Sequence, residues 1–232
     1  GYDYIWRAAG LEPGQLAFGG SRTWHAAHLA LLERHRPDAI IYSGAGSGPA
    51  EPTLVEENAD RWLVRDNNTG RLWGLTKGSL TTYDPAHEGE SGDPGRPIAS
   101  RADADRLIPL EHSAGATYLA GLRALVDEVG DRALVMPNWA PGYIRGCYAM
   151  GFEAAMTAMI EDPELFLYVC DRCAAGERQY MQQLAEAGAE AMFVADSWAS
   201  CDIISPGLFE RFAWPYQRLT TEAVHAAGMR MI

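Results

Sequence analysis

Glu186-Ala187-Gly188-Ala189-Glu190-Ala191-Met192-Phe193-Val194-Ala195-Asp196-Ser197-Trp198 is the stretch on which the fold turns. A helical pattern that opens at Asp162-Pro163 and is read as continuous to Ala187 stops at Gly188. Glycine ends helices because it adopts the left-handed backbone without a Cβ penalty. The run from Ala191 to Ala195 is apolar, unalternating and too short for a helix, which predicts a strand covered on both faces. An acid, a hydroxyl and an indole follow it at once.

The same unit recurs to either side. A helix from Ala116 to Val129 ends at Gly130 and feeds Ala133-Leu134-Val135-Met136. Another, from Ser21 to His35, carries Trp24, Ala27, Leu31 and Leu32 at helical spacing and leads through Pro37-Asp38 into Ala39-Ile40-Ile41-Tyr42. Phe152 to Ile160 is helical, and a last helix from Ser205-Pro206 to Ala227 stops at Gly228 before a strand that begins near Met229. Helices alternating with short buried strands predict parallel pairing, and an α/β fold of the (β/α)8 TIM-barrel type. A doubly wound open sheet is the rival; it calls for a glycine-rich turn running into a helix, whereas Ser43-Gly44-Ala45-Gly46-Ser47-Gly48 runs into Pro49 and Pro52.

Two segments break the alternation. Trp62-Leu63-Val64 and Arg71-Leu72-Trp73 flank Asn67-Asn68-Thr69-Gly70, which predicts an inserted N-terminal β-hairpin. Residues 84–97, with Gly92-Asp93-Pro94-Gly95, read as an exposed loop able to cover a site. Residue 1 is Gly, and the chain stops as its last strand opens. The expectation is one domain over residues 1–232, truncated at both ends and lacking the C-terminal strands of the barrel.

Composition narrows the partners. Lys and Arg total 19 against 31 Asp and Glu, a net charge of -12, and the arginines are dispersed. Phosphate neutralisation needs clustered cations, so nucleic acid is not expected as a partner, and a polyacid could bind only at a local arginine cluster. No apolar run reaches the roughly 18 residues that span a bilayer, and no charged-then-apolar leader opens the chain. The expectation is a cytoplasmic protein with no membrane partner and a small-molecule substrate. Cys147, Cys170, Cys173 and Cys201 are irregularly spaced and read as free thiols. Asn67-Asn68-Thr69 fits a glycosylation sequon but reads as turn chemistry.

In a parallel barrel the residues after the carboxyl ends of the strands carry the chemistry. That selects Pro137-Asn138-Trp139-Ala140-Pro141-Gly142-Tyr143-Ile144-Arg145, read as a loop, and Asp196-Ser197-Trp198-Ala199-Ser200-Cys201-Asp202. The Asp196 carboxyl, directly after an apolar run, is placed at a partly buried rim, where it either holds a proton, a cationic group or a metal-bound species or caps the following loop. Ser197 has no His or Lys near it in sequence to activate it, so it reads as a hydrogen-bonding group rather than a nucleophile. Tyr143 and Arg145 either donate to an anionic substrate or, for Tyr143, pack as a lid. Asn138, Trp139 and Trp198 complete a lining of amide and aromatic groups. Cys170 and Cys173 have C-x-x-C spacing inside an amphipathic helix and read as buried packing residues. His25 and His28, three apart on a helix, lack an acidic partner and read as structural. Trp24, Trp62 and Trp73 read as core or cross-strand residues.

From Pro137 to Ile232 the chain resembles the uroporphyrinogen decarboxylase superfamily, which includes porphyrinogen decarboxylases and cobamide-dependent thiol methyltransferases. The similar elements are the proline-led segment ending at Tyr143, Gly151-Phe152-Glu153, Met159-Ile160-Glu161-Asp162-Pro163-Glu164, Glu186 to Glu190, Val194 to Ala199, and Ile204-Ser205-Pro206 through Phe209 to Pro215-Tyr216. The resemblance implies a barrel in which Ser197 and Tyr143 match substrate-contacting residues of the decarboxylase and Asp196 an acidic rim position. Asp196, Ser197 and Tyr143 are then the catalytic candidates, and Asn138, Trp139, Arg145 and Trp198 the substrate-binding ones.

Two departures from the decarboxylase bear on the branch. Its arginine-rich Arg-Gln-Ala-Gly-Arg-Tyr-like stretch has no counterpart in residues 1–50, and the segment from Asp196 to Pro206 is longer, nearer the methyltransferase spacing. The methyltransferase resemblance implies zinc held by a His-x-Cys and a later Cys, all beyond Ile232, with no metal ligand inside this chain. It also implies a corrinoid cofactor and a corrinoid protein as a further partner. The expectation is methyl transfer between a corrinoid and a zinc-bound thiol. The alternatives are cofactor-free uroporphyrinogen decarboxylation and a non-catalytic tetrapyrrole or corrinoid binder.

Overall fold

The computed structural model describes residues 2–11, 20–42, 53–65, 67, 70, 72–76, 82–83, 98–110 and 113–232. They form two compact units, Gly1–Pro94 with Gly115–Met136, and Gly95–Ala114 with Pro137–Ile232. The glycine-rich run 43–48 and the loop 84–97 lie outside the described residues.

The first unit holds helices α1 (Tyr2–Ala9) and α2 (Ser21–His35), strand β1 (Ala39–Tyr42), strands β2 (Thr53–Glu57), β3 (Arg61–Arg65), β4 (Leu72–Thr76) and β5 (Thr82–Tyr83), and helix α4 (Ala116–Val129). Helix α2 buries Trp24, Ala27, His28 and Leu32 on one stripe, and Trp24 and Ala27 pack with Ile5 of α1. It ends where Arg36 takes a left-handed backbone and returns its N–H to the Leu32 carbonyl at 2.8 Å. The run 39–42 is a strand beside Leu134, whose N–H donates to the Asp38 carbonyl at 2.8 Å. Strands β2 to β5 form an antiparallel sheet in chain order, in which Trp62 is in register with Leu75 and Val64 with Trp73. Side chains of β3 alternate between buried and half-buried, the period-2 signature of a one-faced sheet. One reading needs correction here: His25 does have an acidic partner, since its Nε2 lies 2.7 Å from Glu128 Oε2. The two are 103 residues apart, so only the fold could reveal the pair.

The second unit builds the site. Helix α3 (Arg101–Leu107) is followed by the end of strand β6 (Leu134–Trp139), helices α5 (Gly142–Met150), α6 (Phe152–Glu161), α7 (Pro163–Ala174) and α8 (Glu177–Glu186), strand β7 (Ala191–Val194), the short helix α9 (Pro206–Leu208), helix α10 (Trp214–Ala226) and strand β8 (Arg230–Met231). Asn138 and Trp139 pair in parallel with Phe193 and Val194, and Ala191 and Met192 pair in parallel with Arg230 and Met231. This is an α/β arrangement with parallel strands and helical crossovers.

Three expectations change. The helix expected from Pro163 to Ala187 is two helices, because Gly176 sits at φ 75° and turns the chain after Ala174. The expected loop 137–145 is instead the end of β6 and the start of α5, so Tyr143 is a helical residue. The expected helix from Ser205 to Ala227 is helical throughout but widens to a π-helical turn at Phe209–Ala213. Pro215 has no N–H to donate within that run, and a widened turn accommodates the missing bond.

The core of this unit lies between α5, α7 and the π turn. Tyr143, Ile144, Cys147, Phe166, Val169, Cys170 and Phe212 are all fully buried. Phe166 meets Tyr143 and Phe212 edge to face at 5.9 and 5.5 Å, a geometry that aligns ring edge with ring face. Helices α5 and α7 approach closely because α5 presents Gly142 and Gly146. A Cβ on Gly142 would stand 3.0 Å from the Cys170 carbonyl oxygen, and one on Gly146 would stand 2.6 Å from the Cys170 Sγ.

Candidate functional site

Parallel pairing of β6 with β7 brings the two segments selected from sequence to one end of the ladder. The Ala195 N–H donates to the Trp139 carbonyl at 3.1 Å, so Asp196 leaves β7 beside the last residue of β6. The chain then turns through a 3-10 helix at Ser197–Ala199. From α5, the Tyr143 hydroxyl donates to the Trp198 carbonyl at 3.1 Å and ties that turn to the helix.

Asp196 is half-buried. Its Oδ2 accepts from Gln217 Nε2 of α10 at 2.9 Å, while Oδ1 is buried with no hydrogen-bond partner. Burial pushes this carboxyl up to about 6, and the Gln217 bond offsets part of that rise. Removing a carboxylate from water penalises its charged form, and the remedy is either a partner or a proton. Tyr143 and Cys147 from α5 and Cys170 from α7 all sense the Asp196 charge. Tyr143 is fully buried, and desolvation drives its hydroxyl well above the ordinary phenol range, so it acts as a neutral donor. Ser197 is exposed next to Asp196.

Trp198 is half-buried and lies at the centre of an aromatic surface that the sequence reading missed. Tyr148 meets its ring edge to face at 4.8 Å and Phe152 does so at 5.0 Å. Tyr148 is 53% exposed and Phe152 43%, so these rings leave a broad apolar face open beside Ser197. Tyr148 ends one helix region and Phe152 opens the next across Gly151, so no helical period in the sequence relates the two rings.

The remaining candidates divide. Asn138 is exposed on the ladder, opposite in register to Phe193. Trp139 is buried and stacks at 4.4 Å on Tyr180, and its Nε1 donates to Glu177 Oε1. The Arg145 guanidinium lies over the Trp139 ring at 4.4 Å. Its neighbours there include Cys173, Glu177 and Tyr180, and burial lowers its pKa. Trp139 and Arg145 thus belong to an internal cluster with Glu177 and Tyr180. Glu177 and Gln217 were not selected from sequence, yet they contact this cluster and Asp196 respectively.

Among the described residues no group of three or more His, Cys, Asp or Glu side chains is assembled to hold a metal ion. Cys147, Cys170 and Cys173 are buried and free, as the C-x-x-C reading expected of the last two. Burial pushes the Cys147 thiol up to about 12 and that of Cys173 up to about 11, away from the thiolate that zinc requires. The described residues therefore do not fit zinc. No helix among them is long and apolar enough to cross a membrane.

Comparison with known proteins places residues 86–232 in a family. The family model described as uroporphyrinogen decarboxylase (URO-D) matches residues 86–232, more than half of the chain. Among curated proteins, a uroporphyrinogen decarboxylase of Sulfurovum sp. (strain NBC37-1) is 34% identical over 128 residues, covering 52% of this chain and 36% of its own length. Those of Streptomyces coelicolor and Aliarcobacter butzleri are 30% and 28% identical over 59% and 66% of this chain, and 39% and 43% of theirs. The chain thus spans about two fifths of the length of the curated relatives it matches. Among solved structures, a methyltransferase from Methanosarcina mazei superposes with a TM-score of 0.59 at 17% identity, over 95% of this chain and 58% of that one, a likeness of fold.

Proposed function

The chain belongs to the uroporphyrinogen decarboxylase family, and on that premise we propose that it supplies one wall of a barrel-type active site. In this reading Asp196 is the proton-transfer group and Tyr148, Phe152 and Trp198 receive an apolar face of a small-molecule substrate. The reaction proposed is methyl transfer to a thiol, as in the methyltransferase branch. The observation that carries the reading is the pairing of an unpartnered, half-buried Asp196 Oδ1 with an open aromatic surface. Arg145, the arginine nearest to these segments in sequence, lies over Trp139. A substrate with many carboxylates needs facing cations, so aromatic rings and one carboxyl favour a substrate of low negative charge.

The steps assigned to this chain are few. Asp196, ionised above about pH 6, accepts the thiol proton on its carboxylate as the sulfur attacks the methyl carbon. The electron pair of the broken bond stays with the methyl donor. Gln217 holds the carboxylate through Oδ2. Tyr143 fixes the Ser197–Ala199 turn through the Trp198 carbonyl, and Ser197 orients the bound molecule. A corrinoid, when bound, supplies the methyl group, and zinc ligation is not drawn from the described residues.

Decarboxylation is the second reading, favoured by the names of the curated relatives. There the protonated Asp196 would donate to a ring carbon as carbon dioxide leaves. The test is turnover by the full-length, zinc-replete protein, with methylcobalamin and a thiol in one arm and uroporphyrinogen in the other. Methylated thiol, reduced about 10²- to 10⁴-fold in Asp196→Asn, is the expected result. Uroporphyrinogen turnover alone would replace the first reading with the second. Tight binding of a corrinoid without turnover in either arm would overturn both and leave a carrier.

A further inference from the structure

Glu177 is an acid in the wrong place for a surface helix. It opens α8 immediately after the left-handed Gly176, is 4% exposed, and shares the buried stripe of Met181 and Leu184. Burying a carboxylate is costly unless it is paired, so its partners should explain it. One oxygen, Oε1, accepts twice: from Trp139 Nε1 at the end of β6 and from Thr220 Oγ1 of α10 at 2.6 Å. Arg145 adds a favourable charge, and burial still leaves the Glu177 carboxyl above its ordinary range.

Both partners lead to Asp196. The Trp139 carbonyl accepts the Ala195 N–H, which fixes the residue directly before Asp196. Thr220 lies three residues after Gln217 on α10, a spacing that puts both on the same helix face. Gln217 is the donor to Asp196 Oδ2. One carboxylate oxygen therefore fastens the end of β6, whose Trp139 carbonyl holds Ala195, and the helix that carries the hydrogen-bond donor to Asp196.

We propose that Glu177 is a positioning residue for Asp196: by holding Trp139 and Thr220 together it sets the distance between Gln217 and the Asp196 carboxylate. It touches no reacting atom. The inference rests on the proposed role of Asp196 for its relevance to turnover, but the arrangement can be tested without substrate. The groups facing Asp196 are Gln217 from α10, Tyr143 and Cys147 from α5 and Cys170 from α7. Of these only the Gln217 bond is relayed through Glu177.

The experiment is an NMR titration of the Asp196 side-chain carboxyl in the full chain, free of any ligand. Gln217→Leu removes the donor and should raise the Asp196 midpoint by about half to one pH unit, the scale of a hydrogen bond to a partly exposed charge. Glu177→Ala and Thr220→Val should each raise it in the same direction, and neither should add to Gln217→Leu in the double variant. Glu177→Gln keeps an acceptor oxygen and should restore the midpoint. Met181→Ala, buried on the same helix but outside this relay, should lower stability and leave the midpoint in place. The proposal is overturned if Thr220→Val and Glu177→Ala leave Asp196 unmoved while Gln217→Leu shifts it, or if Met181→Ala shifts it equally. Failure of Glu177→Ala to fold leaves Thr220→Val to decide. A normal titration series with no methyl transfer would refute the proposed reaction and leave this relay standing.

Discussion

Replacing Gly146 by alanine tests the contact that sets the spacing of α5 and α7. The new Cβ would stand 2.6 Å from the Cys170 Sγ, with the Cys170 Cα and N at 3.4 and 3.5 Å. Cys170 is fully buried, so the sulfur can yield only by displacing packed neighbours. Alanine in a helix interior gains about 1 kcal/mol over glycine, while forcing a methyl into a packed core costs about 1–3 kcal/mol. The single variant should therefore lose up to about 2 kcal/mol. Cys170→Ala deletes the obstructing atom at a cost of about 1 kcal/mol for the small void. In that background only ordinary contacts remain, so Gly146→Ala should become stabilising by about 0.5–1 kcal/mol. The cycle thus predicts a coupling of about 1–3 kcal/mol, read from urea unfolding midpoints at constant m value. Because Tyr143 sits one turn earlier on the same helix, the single variant should also speed amide exchange in the Ser197–Ala199 turn. Additivity of the two substitutions within about 0.5 kcal/mol would refute the claim that Cys170 Sγ sets the helix spacing.

Asp196 is held at about 6 against an ordinary 3.8, so between those values the folded chain keeps a proton that the unfolded chain has released. Stability should therefore fall as pH rises through that window and stay level above it; Asp196→Asn should remove the slope in a pH series of unfolding curves, and an unchanged slope assigns it elsewhere. Tyr143→Phe removes the donor to the Trp198 carbonyl and should cost about 1 kcal/mol, with faster amide exchange at residues 197–199. Protection unchanged there would mean that the hydroxyl does not hold the turn. Gly176→Ala places a Cβ at φ 75° and should cost about 1–2 kcal/mol in thermal or urea unfolding; no loss would mean that α7 and α8 can join by another path.

Periodicity was legible where a local rule fixed the answer. The helices over 21–35 and 116–129 and the runs 39–42 and 191–195 follow from apolar spacing and their end signals, and the structure bounds them at Ser21–His35, Ala116–Val129, Ala39–Tyr42 and Ala191–Val194, the last one residue shorter than expected. The break at Gly176 was hidden because apolar spacing continues across it: Cys170 and Cys173 lie on one side and Met181 and Leu184 on the other, all buried. A period reports which face is covered, and two helices joined by one turn can cover the same core. Strand β2, with every residue exposed, carries no burial pattern at all, and its pairing to β3 comes from backbone hydrogen bonds that any sequence can make.

At the site, the misplacement of Tyr143 has a definite physical origin. Pro141 and Gly142 read as loop punctuation, yet Pro141 is the cap residue before α5 and Gly142 is small because Ala174 Cβ and Tyr216 Cδ1 would stand within 2.9 Å of a Cβ there. Once α5 is seen to begin at Gly142, Tyr143, Ile144, Cys147 and Met150 form its apolar stripe and Tyr143 is necessarily inside. Asp196 was legible because its position depends only on the end of the strand before it. Its electrostatics were not, because Gln217 is 21 residues away and Glu177, which holds the helix of Gln217, lies on the other side in sequence. The signal for Glu177 was nonetheless present as an acid at i, i+4 and i+7 with Met181 and Leu184. A charged residue on an apolar stripe demands a buried partner, and that demand can be read from one chain even when the identity of the partner cannot.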